Sequence, residues 1–95
     1  AVPVILPLNP FRTTASDTTI TVYSPDHGRS TDDVVRFRNS STVFGILASE
    51  IDLADGYTIT KVDDNFYTFV STTAPSITGE AGGGSISAGP VTITA

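Results

Sequence analysis

The sequence predicts an all-β fold, a small antiparallel β-barrel or sandwich of about six strands with an extended N-terminal arm. Three observations carry this. Thr, Ser, Val and Ile crowd the 95-residue chain, while Met, Trp and Cys are absent; Thr and the β-branched aliphatics suit a pleated sheet better than a helix. Several stretches alternate apolar and polar residues with a period of two. Turn formers stand between them, notably Ser24-Pro25-Asp26-His27-Gly28 and Asp63-Asp64-Asn65.

Residues 1–16 read as a segment apart, an extended Pro-rich arm, and residues 17–95 as a single β domain. Pro3, Pro7 and Pro10 fix φ and exclude a helix across the arm. Its apolar side chains, Val2, Val4, Ile5, Leu6, Leu8 and Phe11, need a cover. Each is worth roughly 1.5–3 kcal/mol when fully buried. The arm therefore either closes one end of its own barrel or docks on a neighbouring subunit. Because a core this small leaves little surplus stability, and no disulfide or metal supplements it, oligomerisation is a natural remedy. That favours the arm as an assembly interface.

Thr18 to Tyr23 alternates, with Ile20 and Val22 inward. After the Ser24–Gly28 turn, Val35 and Phe37 occupy one face of the next strand, with Arg36 and Arg38 on the other. Asn39 to Thr42 is loop. Val43 to Leu47 fits a short strand or an apolar loop over a barrel mouth, and Ala48 to Ala54 holds the one plausible helical turn. Asp55-Gly56 leads into a hairpin, Tyr57 to Thr60 against Tyr67 to Val70, turning at Val62 to Asn65. Its aromatic pairs stabilise antiparallel strands. Gly82-Gly83-Gly84 reads either as a flexible linker or as a tight backbone path where side chains would clash. Pro90 to Thr94 alternates again, as a last strand opened by a proline that costs no ladder bond.

The net charge of −5 argues against nucleic-acid binding, which needs clustered Lys and Arg. The absence of cysteine excludes a disulfide framework and a thiolate zinc site, and is compatible with a reducing compartment. The apolar N-terminus lacks a basic leading region and is interrupted by prolines, so it reads as neither signal peptide nor membrane span. An alanine at position 1 fits removal of an initiator methionine and equally a processing boundary.

Residues with chemical potential have simpler readings. His27 lies near Asp26, Asp32 and Asp33, but a Pro-Asp-His-Gly turn explains it without catalysis. Ser24 and Ser30 make a nominal triad set with no nucleophile elbow around them. Asp63-Asp64-Asn65 lacks the spaced oxygen ligands and distant Glu of a calcium loop, and reads as a solvated turn. The glycine triplet has no following Lys and opens no helix, so it is no phosphate loop. Arg29, Arg36, Arg38 and Lys61 form at most a basic strip diluted by acidic neighbours. The sequence thus points to no enzyme and to no cofactor or metal.

Asn9-Pro10-Phe11, Thr13-Thr14, Thr19-Ile20-Thr21-Val22, HGRSTDDVVRF, Phe44-Gly45-Ile46, YTITKVDDNFYTF and Gly82-Gly83-Gly84 follow one another in order. In this the chain resembles a β module of tailed-bacteriophage virion proteins, found in tail, fibre and other particle-surface components. That module is similar in fold to the FCCH-like β-barrel of ubiquitin-activating enzymes. The likeness covers roughly residues 9–84 and rests on turns and core aromatics. One departure stands out: Asp32-Asp33 replaces the family's Gly-Asp, and Asp tolerates a positive φ better than most non-glycine residues. Without cysteine, thioester chemistry is excluded.

The resemblance implies a structural protein of the virion, made in the host bacterial cytoplasm and present in many copies. It would decorate or cement a capsid or belong to a tail or fibre. Its partners would be further copies of itself and other virion proteins, with no nucleic acid and no membrane. The alternative is a receptor- or glycan-binding module of a phage or cell-surface protein, with Phe44, Ile46, Asp52 and Asp55 as its recognition loop. Exposed aromatics beside Asp and Asn would favour it, whereas nearly all aromatics fall on inward strand positions.

Overall fold

A computed structural model describes residues 4–53, 55–84 and 86–89, with the side chain of Val4 outside the description. The alternation of Thr19–Tyr23 sets the pattern for the whole molecule. Ile20 and Val22 are buried while Thr19 is exposed and Thr21 and Tyr23 are half-exposed, so one face of this strand is core and the other is surface. The strands in chain order are β1 (Val4–Ile5), β2 (Phe11–Thr13), β3 (Thr19–Tyr23), β4 (Val34–Arg38), β5 (Tyr57–Thr58), β6 (Thr60–Lys61), β7 (Phe66–Val70), β8 (Gly79–Ala81) and β9 (Ser87–Gly89). A single helical turn, α1 (Ala48–Ile51), lies between β4 and β5.

The strands form two antiparallel sheets, ordered β1-β9-β4-β5 and β6-β7-β3-β2-β8. Three stretches of chain belong to both. Residues 4–13 run from one sheet to the other as β1 and β2, residues 57–61 as β5 and β6, and residues 79–89 as β8 and β9. The strands thus lie on six stretches: 4–13, 19–23, 34–38, 57–61, 66–70 and 79–89. Each pairs with two others, and the pairings close a ring. The ring joins the two sheets at their corners and leaves the short strands β1, β5, β6 and β8 at the sheet edges. The expected small antiparallel β fold of about six strands is what the chain adopts.

Residues 4–13 and 79–89 form a continuous ribbon in one register: Thr13 pairs with Gly79, Phe11 with Ala81, Ile5 with Ser87 and Val4 with Ala88. At the bend between sheets, Asn9 N–H donates to Gly83 O (2.9 Å) and Gly83 N–H donates to Asn9 Oδ1 (3.1 Å). The sharp change of direction needs left-handed backbone on both strands, with Asn9 at φ +48°, Gly82 at +120° and Gly83 at +91°. Of the two readings of the glycine triplet, the tight backbone path holds for Gly82, which is buried.

Aromatic rings fill the interior. Phe37 on β4 meets Phe11 edge-on at 5.1 Å and Phe69 at 5.1 Å, and Phe69 lies 4.5 Å from Tyr57. Edge-on and offset contacts of this kind add about 0.5–1.5 kcal/mol each beyond the area they bury. Leu6, Ile20, Val22, Val35, Ile59, Tyr67 and Ile86 complete the core with Val43, Ile46 and Ile51.

The reading of residues 1–16 as a segment apart needs correction for two of its six apolar residues. Leu6 and Phe11 are 3% and 0% exposed within the chain's own core, because the ribbon makes 4–13 an integral stave of the barrel. They cannot serve as an interface while they sit there. Ile5 and Leu8 are 67% and 73% exposed; Val2 and the Val4 side chain lie outside the described residues, as does the expected strand Pro90 to Thr94. The Val43–Leu47 stretch resolves into a two-residue hairpin, with reciprocal 2.8 Å bonds between Val43 and Ile46. The expected helical turn forms as α1, and Asp32 adopts φ +76°. The Val62–Asn65 turn forms as expected, with Asp63 Oδ1 accepting the amides of Asn65 (2.8 Å) and Phe66 (3.0 Å). Among the described residues no helix is long and apolar enough to cross a membrane.

Candidate functional site

His27 is the residue whose chemistry is most fully specified by its surroundings. The turn that carries it, with Asp26 at φ +50° and Gly28 at φ +64°, folds the β3–β4 connection against the β6–β7 hairpin. Arg29 N–H donates to Nδ1 (2.9 Å), so Nδ1 carries a lone pair. The proton is therefore on Nε2, which donates to Asp63 O (2.6 Å) with Phe66 O at 3.2 Å. The ring edge rests on Tyr67, with centroids 5.1 Å apart. Both nitrogens are thus spent on backbone, and no carboxylate orients the ring as a general base requires. The side chain is a tie between two loops.

The recognition-loop residues take separate structural tasks. Ile46 is 1% exposed and belongs to the core, which removes it from any recognition edge. Phe44 and Gly45 are the two central residues of the Val43–Ile46 hairpin, at φ +44° and +93°, as a type I′ turn demands. A bulky residue at positive φ is uncommon and costly. Here it is held by Ser76, whose N–H (2.9 Å) and Oγ–H (3.1 Å) donate to Phe44 O. Its ring fills the space beside Gly79, where a Cβ would stand 3.3 Å from Phe44 Cζ. Phe44 is therefore turned inward onto its own chain, as a wedge.

Asp52 N–H donates to Ala48 O at the end of α1, and Asp52 Oδ1 accepts the Ser40 hydroxyl at 2.6 Å. Close by, the Tyr57 hydroxyl donates to the backbone carbonyl of Glu50, and Thr73 Oγ1 donates to Glu50 Oε1 (2.9 Å). Burial, and secondarily the Glu50 charge, push the Tyr57 phenol above its ordinary range. Asp55 is exposed.

The cationic side chains do not gather either. Arg29 reaches Ala88 O (3.3 Å), Lys61 lies 3.6 Å from Asp64, and Arg36 and Arg38 are half-buried on the outer side of β4. Among the described residues no cleft opens in the surface, and no group of three or more His, Asp or Glu side chains converges.

One outward cluster escapes the expectation that aromatics face inward. On the outer face of the β6-β7-β3-β2-β8 sheet, Tyr23 pairs with Phe66 across β3 and β7, their centroids 5.1 Å apart. The Arg12 guanidinium lies 5.4 Å and 4.9 Å from the two ring centroids and 3.4 Å from Glu80 Oε1. Strand parity carried the signal: with Val22, Tyr67 and Phe69 inward, Tyr23 and Phe66 must point out.

Set against known proteins, the chain matches no family model and no curated sequence.

Proposed function

We propose that the chain is a non-catalytic structural module of a virus particle, of the tailed-phage kind that its motifs resemble. It works by surface complementarity, as a capsid decoration or cement protein or as a tail or fibre component. Its partners are further copies of itself and neighbouring virion proteins. One observation carries the reading: His27, Asp52, Glu50 and Phe44 are spent on ties within the fold, while large apolar side chains such as Ile5, Leu8 and Leu47 stand on the outside of a closed barrel. A surface of this kind is suited to docking rather than turnover.

Light scattering of the purified chain across a concentration series tests self-assembly. A dimer or larger species, reduced several-fold by Leu8→Ser, is the expected result. A folded monomer at every concentration, with no affinity for a co-expressed particle protein, would defeat the proposal.

The Arg12–Tyr23–Phe66 cluster favours the second reading, a glycan-binding module, since outward rings on a sheet can stack on a sugar. The guanidinium already covers these rings, which weakens that reading. Chemical-shift changes at Tyr23 and Phe66 on addition of oligosaccharides, abolished by Phe66→Ala, would move it ahead.

A further inference from the structure

We propose that β1 exchanges between two copies of the chain, so that the segment ahead of Pro7 pairs with β9 of the partner copy in the register seen within one chain. The inference rests on the assembly reading above and names its partner, a second copy.

The hinge lies between two bonded points of the ribbon. On one side Leu6 N–H donates to Ile86 O (2.8 Å), and on the other Asn9 N–H donates to Gly83 O (2.9 Å). Between them stands Pro7, which has no N–H to lose. Opening the chain at Pro7 therefore orphans no backbone donor of that residue. Within the sheets β1 is an edge strand that pairs with β9 alone. Each of its strand bonds, and the burial of Leu6, is recovered unchanged against the β9 of a second copy. Exchange of an identical element is for this reason a low-cost route to a dimer.

Two features tilt the balance toward the exchanged form. Pro7 and Pro10 stiffen the segment toward extended geometry, which suits an opened hinge. Further, Leu8 lies in the hinge and is 73% exposed. A two-fold arrangement that brings the two hinges together would cover this side chain, which the closed monomer leaves in water.

The absence of cysteine makes a clean test. Ile5 and Ser87 are direct cross-strand partners. Chains carrying only Ile5→Cys and chains carrying only Ser87→Cys are mixed in denaturant, refolded together and oxidised. Each chain has a single thiol, so a bridge joining the two positions is necessarily between copies. Such a bridge, found by mass spectrometry in a dimer whose fraction drops several-fold with Leu8→Ser, supports exchange. A dimer or larger species by light scattering without that bridge overturns exchange and leaves self-assembly standing. A monomer without the bridge at every concentration overturns both.

Discussion

Gly82 lies against the ring of Phe11 with no room for a side chain: a Cβ at this position would stand 2.8 Å from Phe11 Cδ2 and 2.7 Å from Ile86 Cδ1. Real Cβ atoms do not approach so closely, and both neighbours are fully buried core residues with nowhere to move. The corner that carries the 79–89 stretch from one sheet to the other is therefore built around the missing side chain.

From this follows a contrast within the glycine triplet. Gly82→Ala adds overpacking to an unfavourable φ of +120° and should cost about 3 kcal/mol. Gly84→Ala meets only Leu8 Cδ1 at 3.4 Å, an ordinary contact, and should stay within about 0.5 kcal/mol of the parent. Urea unfolding of the three proteins at unchanged m-value measures both. Equal stabilities for the two variants would mean that the corner relaxes freely, and the account of it would be wrong.

His27→Ala should act through the two loops it joins. The variant leaves the Arg29 amide and the Asp63 carbonyl without the partners they have at 2.9 Å and 2.6 Å. The expected loss is about 0.5–1.5 kcal/mol, the net worth of hydrogen bonds whose partners water can still reach. Amide hydrogen exchange gives the sharper reading: Arg29 should exchange much faster in the variant, while Val35 and Phe37 in the centre of β4 keep their protection. Unchanged exchange at Arg29 would show that the imidazole is not its acceptor.

What was legible in the sequence divides along physical lines. β3, β4 and β7 are half-buried strands, so their period-two alternation shows directly which residues face the core. The turns are equally plain, because Asp63 accepts the amides of Asn65 and Phe66 as its composition suggests. The bends between sheets are not legible. Tyr57 and Ile59 alternate as one uninterrupted strand, yet Ile59 bonds back to Asp32 and Asp33 while Thr60 and Lys61 pair with β7. Nothing in side-chain polarity marks where a strand changes partners. The same blindness affects residues 4–13: Leu6 and Leu8 share a parity, but the corner at Asn9 turns one inward and the other out. The candidate surface is a different case, since Tyr23 and Phe66 fall on the outward parity of β3 and β7, against the general expectation that aromatics face inward.

Tyr67 offers a test that couples burial to pH. Its ring is fully buried, and its hydroxyl sits beside Arg29 and Ser24 with no group in hydrogen-bond geometry. Burial pushes the phenol from its ordinary 10.0 up to about 12, against the opposing pull of Arg29. With a folded-state value above the unfolded one, stability is fully present below about pH 10. It is lost as pH rises toward 12, because the unfolded chain releases its proton first. The slope contributed is at most ~1.4 kcal/mol per pH unit. Tyr67→Phe removes an unsatisfied buried group, so at pH 7 it should be neutral or stabilising by up to about 1 kcal/mol. Between pH 10 and 12 the variant should lose stability less steeply than the parent. It keeps the share due to Tyr57, which burial and Glu50 also hold above the ordinary value. Denaturant unfolding at pH 8 and again near pH 11 separates the two effects. Parallel losses in parent and variant would mean that Tyr67 ionises as readily in the barrel as in the open chain, and that the hydroxyl reaches water after all.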